Sequence, residues 1–210
     1  MLKLGEIFPN IKAETTLGPV QFYDWMETSW CLLLSCNFNQ VSASELVGLR
    51  NRLLERNVKV IVVSHNSLHS LNECISDIQS KTNHLIQYPI IADEKYSLAL
   101  DLDLFESELY LEKDAFKTIT AAFLIDPNKK LQFQMAYPPE LALNFEEIIR
   151  VIDALQAVNG KCLATPAEWT AGGELLIVSK YLPHNKLKKQ FPHMTEKVLP
   201  SGSIERHTYL

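Results

Sequence analysis

Two short and almost continuously apolar segments constrain the fold of this 210-residue chain more than any other feature. Trp30–Ser35 and Val58–Ser64 have the length of strands and consist almost entirely of apolar or small residues. Such runs are typical of parallel strands that are covered on both faces. Between them, leucines recur at helical spacing over residues 42–56, and Ser42-Ala-Ser-Glu45 has the form of a capping box. The pattern therefore predicts a strand–helix–strand unit.

The alternation of strand and helix signals continues along the chain and favours an α/β sheet with helices on both faces. The predicted elements are a helix over 67–78, a strand at 88–91, a helix after Asp93, a strand at 119–125 with a hairpin partner at 131–136, and an amphipathic helix over 144–156.

Charge and hydropathy exclude several classes of function. The chain has 20 basic and 25 acidic residues, a net charge of −5, so the basic footprint of a nucleic-acid-binding protein is missing. No apolar run is long enough to span a bilayer, and Glu6 and Pro9 interrupt any signal-peptide pattern at the start. We expect a cytoplasmic protein that binds no nucleic acid and does not span a membrane.

The cysteines stand at 31, 36, 74 and 162 and form neither a C-x-x-C pair nor a cluster with histidines. This spacing favours reduced thiols over a zinc site or a disulfide framework. His65 and His69 are four residues apart, but Ser67 is the expected helix cap, so His65 is predicted to lie outside the helix. We therefore predict no metal site and no cofactor.

The pattern changes after Asn159-Gly160. Residues 160–210 hold four of the ten prolines, short strand-like pieces near 174–178 and 204–209, and a basic helix near Asn185. We predict a main domain over 1–159 and a C-terminal extension over 160–210. The extension has too few residues to bury an adequate core alone, so we expect it to pack on the main domain or on another copy of the chain.

Several phrases along the chain resemble the one-cysteine peroxiredoxins of the peroxiredoxin-6 type. They are, in order, Leu4-Gly-Glu-Ile-Phe-Pro-Asn10, Tyr88-Pro-Ile-Ile-Ala-Asp93, Asn144-Phe-Glu-Glu-Ile-Ile-Arg150, Ala164-Thr-Pro-Ala-Glu-Trp169 and Leu199-Pro-Ser-Gly202. The resemblance implies a thioredoxin-like α/β fold with a small C-terminal extension that helps to build a homodimer.

The resemblance implies a thiol peroxidase, but the sequence departs from the family pattern at the peroxidase site, and we predict that this site has been lost. The family motif P-x-x-x-T-x-x-C places the reactive cysteine at the first turn of a helix, where the helix N-terminus and an arginine lower the thiol pKa. Here the cysteine position is Ser42, the threonine position is Asn39 and the arginine position is Thr120. The preceding loop is two residues shorter than in the family, and the proline of the motif has no counterpart. Ser42 is then a helix N-cap.

The lipase-like G-x-S-x-G site reported for the family is also incomplete. Ser29 remains, but it lacks both glycines, and the positions of the histidine and the aspartate are Tyr23 and Asn128. Because no base is available to accept the proton of Ser29, we do not expect a Ser-His-Asp mechanism.

Cys36 is the candidate for a relocated reactive thiol. It directly follows the first apolar strand, but its neighbours in sequence include no Lys or Arg that would lower its thiol pKa. We therefore predict a homodimeric pseudo-peroxidase that acts as a binding, scaffold or regulatory protein, with an unknown protein partner or a small ligand in the vacated pocket. The alternative is a divergent thiol peroxidase, active in cell redox homeostasis, that uses Cys36.

Overall fold

A computed structural model describes residues 2–35, 43–82, 85–105, 118–178, 183–201 and 203–209. The chain divides into two compact units, residues 1–145 and 146–210. None of the helices in the described ranges combines the length and the apolar character that a membrane crossing requires.

The described part of the first unit contains a seven-stranded sheet in the order β2-β1-β5-β4-β3-β6-β7. The central strands β3, β4 and β5 are parallel neighbours, and the remaining pairs are antiparallel. The strands are β1 (Lys12–Thr15), β2 (Gly18–Gln21), β3 (Trp30–Ser35), β4 (Val58–Ser64), β5 (Ile90–Ala92), β6 (Thr120–Ile125) and β7 (Leu131–Tyr137).

The apolar segments found in the sequence form the centre of this sheet. Every residue of β3 and β6 is buried, and in β4 only Lys59 is partly exposed. Burial of both strand faces explains why these sequences do not alternate between apolar and polar residues. The predicted strands at 30–35, 58–64 and 119–125 and the hairpin partner at 131–136 are therefore confirmed.

Four helices are described in the first unit: α1 (Phe22–Met26), α2 (Ala43–Leu54), α3 (Leu68–Thr82) and α4 (Ser97–Asp101). Helices α2 and α3 lie in the connections from β3 to β4 and from β4 to β5, as parallel strand pairs require. The Oγ of Ser67 accepts a hydrogen bond from the backbone N of Ser70 at 3.1 Å. This bond confirms that Ser67 caps α3 and that His65 precedes the helix.

The hairpin β1–β2 and the helix α1 were not predicted. Their sequences are short, and β1 mixes charged and small residues, so they lack a clear period. The turn depends on local bonds: the Oγ1 of Thr15 donates to the carbonyl O of Gly18 at 2.6 Å and accepts from the backbone N of Leu17 at 3.1 Å. Gly18 has a φ of 99°, which favours glycine at this position.

The second unit has its own apolar core and its own sheet. Its described strands follow the order β10-β11-β9-β8 and are antiparallel. The elements are α5 (Phe145–Val158), β8 (Leu163–Ala164), β9 (Leu175–Ile177), α6 (His184–Gln190), β10 (Thr195–Val198) and β11 (Ile204–Thr208). The core consists of Leu163, Trp169, Leu175, Ile177, Leu187 and Phe191, against which Ala154, Ala157, Val158 and Met194 pack.

The division between the two compact units falls at 145/146, earlier in the chain than the domain boundary expected at 159/160. Helix α5 contributes Ala154, Ala157 and Val158 to the core of the second unit, which explains why the division falls at 145/146. A segment of about fifty residues is short for an independent core, and the helix adds apolar surface to it. The domain boundary expected at 159/160 therefore stays a prediction.

Candidate functional site

The carboxyl ends of the parallel strands β3, β4 and β5 meet at one edge of the central sheet. In open α/β sheets this edge is where ligands and catalytic groups collect. Ser35 ends β3, and its Oγ donates to the carbonyl O of Ile119 at 3.4 Å. Ser64 ends β4, and its carbonyl O accepts from the backbone N of Asp93 at 2.8 Å. Both serines are buried, so we take this edge as the candidate site.

Asp93 supplies the negative charge of this edge. Its buried carboxylate accepts hydrogen bonds from Ser97 Oγ at 3.0 Å, Leu98 N at 3.1 Å and Ala99 N at 2.9 Å. These groups belong to the first turn of α4, where an anion is favourable. The role of this carboxylate is therefore to hold the start of α4.

His65 directly follows β4 and packs against an aromatic ring. Its imidazole stacks on Tyr96, with ring centroids 4.6 Å apart and an angle of 14° between the rings. Burial lowers the pKa of His65, and the nearby charge of Asp93 opposes this effect. From sequence, His65 is only a candidate metal ligand; its position directly after a predicted strand is the signal that could have placed it in the site.

Thr120 begins β6 and is only 2% exposed. It lies opposite Tyr137 of β7 in the antiparallel register. A threonine carries no charge, and the lowered pKa of His65 favours its neutral form at pH 7. The five residues Ser35, Ser64, His65, Asp93 and Thr120 therefore provide no positive charge at this edge.

The arginines of the first unit stand in and just after helix α2. Arg50 and Arg52 lie in the second half of α2, and Arg56 lies beyond the end of that helix. The helix rises about 1.5 Å per residue, so Arg50 is about 10 Å along the axis from Ala43. Arg56 donates from Nη1 to the carbonyl O of Arg52 at 2.8 Å. The described hydrogen bond of Arg56 therefore lies at the C-terminal end of α2.

Three predicted site positions, Cys36, Asn39 and Ser42, lie outside the residues that the structure describes. The described chain ends at Ser35 and resumes at Ala43, the first residue of α2. In sequence, Cys36 thus follows the last residue of β3 and Ser42 precedes α2.

The lipase-like positions belong to the opposite edge of the sheet, where β3 begins. Ser29 is buried, and its Oγ donates to Oδ1 of Asn57 at 3.4 Å. The hydroxyl of Tyr23 donates to the carbonyl O of Phe8, and Asn128 is exposed in the turn after β6. The structure thus pairs Ser29 with a neutral amide, which cannot accept its proton as a general base.

The described cysteines occupy three different environments. Cys31 is completely buried in β3, and desolvation by burial raises its thiol pKa far above the ordinary range, although Lys129 and Lys59 oppose this effect. Cys74 is exposed on α3, and Cys162 is partly buried in the second unit. All three are free thiols.

The two histidines considered as metal ligands have different partners. His65 stacks on Tyr96, whereas His69 is exposed on α3 with its Nε2 3.4 Å from Oε1 of Glu73. Among the described residues, no group of three or more His, Cys, Asp and Glu side chains is arranged to hold a metal ion.

Comparison with known proteins identifies the family of this chain. Residues 4–134 match the AhpC/TSA family. The chain belongs to the AhpC/TSA family. The chain is 35% identical over 212 residues to peroxiredoxin-6 of Gallus gallus, which covers 96% of this chain and 94% of that protein. It is also 35% identical over 219 residues to the 1-Cys peroxiredoxin of Dirofilaria immitis, covering 95% and 93% of the two chains.

A solved peroxiredoxin structure resembles the whole chain. It is the crystal structure of a cysteine-to-serine mutant of the peroxiredoxin 6 of Arenicola marina, with a TM-score of 0.89 and 33% identity, covering 100% of this chain and 98% of that one. The expected thioredoxin-like peroxiredoxin fold and the resemblance to the peroxiredoxin-6 type are therefore confirmed.

The environments of the cysteines predict their reactivity. We expect a thiol-alkylating reagent to modify Cys74 within minutes in the native protein, because its side chain is exposed. Cys31 should stay unmodified even at pH 9, because burial both excludes the reagent and raises its thiol pKa. Peptide mass spectrometry after timed alkylation measures both sites.

Urea-unfolded protein serves as the control, in which Cys31 and Cys74 should react at similar rates. Fast alkylation of Cys31 in the native state would contradict its assigned burial.

Proposed function

We propose that this AhpC/TSA protein is a pseudo-peroxidase of the peroxiredoxin-6 type that works as a homodimeric binding, scaffold or regulatory protein. The observation that carries the proposal is Thr120, a buried neutral residue where the family resemblance implies an arginine. We further propose that the protein is cytoplasmic.

The charge balance of the candidate edge supports the loss of peroxidase chemistry. Attack on a peroxide requires a thiolate, which nearby positive charges or a helix N-terminus stabilise. Thr120, Ser35 and Ser64 contribute hydroxyl groups, and the carboxylate of Asp93 would oppose a second negative charge. A thiol at this edge would lack the guanidinium that its relatives are implied to use.

The cysteines support the same proposal. The residue aligned with the reactive cysteine is Ser42, and a serine hydroxyl is not ionised without a strong base. Cys31 is buried, and Cys74 lies within α3 rather than at the carboxyl end of a strand. The remaining candidate is Cys36, which directly follows Ser35 in the sequence and defines the alternative function, a divergent thiol peroxidase.

A peroxide pulse separates the two functions. We expect a near-stoichiometric pulse of hydrogen peroxide to leave the intact mass of the reduced protein unchanged on a timescale that oxidises an active one-cysteine peroxiredoxin. The physical reason is that an unactivated thiol is mostly protonated at pH 7. Intact-mass spectrometry after rapid quenching measures the outcome.

The Cys36→Ser variant is the matched control. Fast gain of one oxygen atom in the natural sequence that disappears in Cys36→Ser would establish the alternative peroxidase. Fast oxidation that persists in Cys36→Ser would assign the reaction to another cysteine and would equally end the pseudo-peroxidase proposal.

Rebuilding the family site tests which loss matters. We expect Ser42→Cys alone to react slowly with peroxide, and Ser42→Cys combined with Thr120→Arg to react about tenfold faster. One unit of thiol pKa changes the thiolate fraction about tenfold, and an adjacent cation commonly produces such a shift. Stopped-flow measurement of peroxide consumption by both variants checks this prediction.

Ser42→Cys combined with Thr120→Gln is the uncharged control of comparable side-chain length. If Ser42→Cys alone reacts as fast as an active relative, the surroundings are intact and the dead-site interpretation fails.

An exposed apolar pair supports a role of the C-terminal extension in the dimer. Val198 and Ile204 are register partners in the hairpin β10–β11, and they are 70% and 47% exposed in the single chain. Two neighbouring exposed aliphatic side chains favour burial against another surface. We propose that the second copy of the chain covers them.

The dimer is tested by sedimentation velocity. The natural chain should sediment as a dimer, and Val198→Ser combined with Ile204→Ser should raise the dissociation constant at least about tenfold, because each buried aliphatic side chain contributes about 1.5–3 kcal/mol. Leu100→Ser, at an exposed leucine of α4 in the first unit, is the control that should leave association unchanged. A monomeric natural chain would refute the homodimer.

A further inference from the structure

The sequence contains a single Asn-Gly pair, Asn159-Gly160, which directly follows the last residue of α5. Both residues are exposed. Gly160 has a φ of 67°, in the left-handed region that glycine adopts without a steric penalty. Apart from its chain neighbours, no atom lies within 4 Å of the point where a Cβ of residue 160 would stand. The side-chain amide of Asn159 therefore adjoins a backbone N that no side chain shields.

The described hydrogen bonds at this helix end do not use the N–H of Gly160. The backbone N of Asn159 donates to the carbonyl O of Leu155 at 2.9 Å, and the backbone N of Lys161 donates to the carbonyl O of Val158 at 3.0 Å. Within the described residues, no bond from the backbone N of Gly160 accompanies them. An exposed N–H of this kind is hydrogen-bonded to water, which leaves its nitrogen open to reaction.

A second exposed asparagine provides the contrast. Asn128 lies in the turn after β6 and precedes Lys129, which carries a long side chain. The backbone N of Lys129 donates to the carbonyl O of Asp126 at 2.9 Å. Asn159 thus differs from Asn128 in two respects, because the residue that follows it has no side chain and no described bond holds the N–H of that residue.

We propose that Asn159-Gly160 is a self-modification site at which the asparagine amide becomes a carboxylate. The backbone N of Gly160 loses its proton to solvent and attacks Cγ of Asn159. An N–C bond forms, and the amide nitrogen takes a proton from solvent and leaves as ammonia. Water then adds to one of the two carbonyl carbons of the cyclic imide and opens the ring to aspartate or isoaspartate. No oxidant or reductant takes part, and the site is independent of the proposed loss of peroxidase activity.

The new carboxylate stands where a helix disfavours negative charge. The last carbonyl groups of a helix carry partial negative charge, so an anion beside them is repelled. Ala157 and Val158, just before the site, pack against the core of the second unit. The isoaspartyl product also leads the backbone through the former side chain, which adds an atom to the connection between α5 and β8. The modification therefore loosens the last turn of α5.

Incubation of the full-length native protein at pH 8 tests the site, with the same chain unfolded in guanidinium chloride as the reference. Peptide mass spectrometry follows the conversion of Asn159 and Asn128 over days, and chromatography separates isoaspartyl from aspartyl peptides. We expect Asn159 to convert in the native protein at a rate close to that in the unfolded chain, and Asn128 to be strongly protected by folding. Both products should form at position 159, because direct hydrolysis of the amide would give aspartate alone.

Protection of Asn159 as strong as that of Asn128, or aspartate as its only product, would overturn the proposal. Asn159→Gln is the matched control, because its longer side chain would have to close a larger and less favourable ring. Conversion at position 159 should therefore be lost in this variant, and equal conversion would also overturn the proposal.

Asn159→Asp tests the structural consequence without waiting for the reaction. Hydrogen exchange of peptides that cover residues 155–161 should become about 2- to 5-fold faster, as expected of one carboxylate beside a helix C-terminus. Asn128→Asp, in the turn after β6, should leave the exchange of these peptides unchanged. If Asn159→Asp exchanges like the natural chain, or if Asn128→Asp has the same effect, the loosening of α5 is refuted.

Discussion

The burial of both faces of β3, β4 and β6 is the constraint on which the first unit depends. Strands that expose no face must be flanked by other elements, and parallel neighbours need crossover connections, which contain α2 and α3 here. The same arrangement brings the last residues of the parallel strands to one edge. Ser35, Ser64 and Asp93 lie together there because the sheet places them together, although they are far apart in sequence.

The described charged contacts differ between the two edges of this sheet. At the edge where β3 begins, the Nζ of Lys59 is 2.9 Å from Oε2 of Glu27, and its hydrogen bond and charge lower the pKa of that exposed carboxyl. Lys129 donates to the carbonyl O of Glu27 at the same edge. The ammonium groups of Lys59 and Lys129 thus stabilise the carboxylate of Glu27 and the C-terminal end of α1. Thiolate chemistry would need positive charge at the other edge, where Thr120 is neutral.

The sequence predicts most of the sheet because its central strands carry an unusual, continuous apolar signal. It does not predict β1, β2 or α1, whose short segments are defined by hydrogen bonds such as that from Thr15 to Gly18. The candidate site was predicted through family resemblance, which identified Thr120 but not the capping role of Asp93 or the stacking of His65 on Tyr96. Such contacts join residues from separate elements, so local patterns carry little information about them.

The second unit shows what one of the family-like phrases does in the structure. Arg150, within one of the phrases that carry the family resemblance, makes a bidentate pair with Glu147 at 2.6 and 2.8 Å and donates to the carbonyl O of Trp169 at 3.2 Å. The indole of Trp169 in turn donates to the carbonyl O of Gly173 at 3.1 Å, and a Cβ at Gly173 would lie 2.9 Å from the carbonyl O of Thr170.

These contacts specify packing, and packing can be kept after a catalytic site is lost. Arginine stays charged at every physiological pH, so the pair of Arg150 with Glu147 holds this part of the fold whatever the state of any thiol.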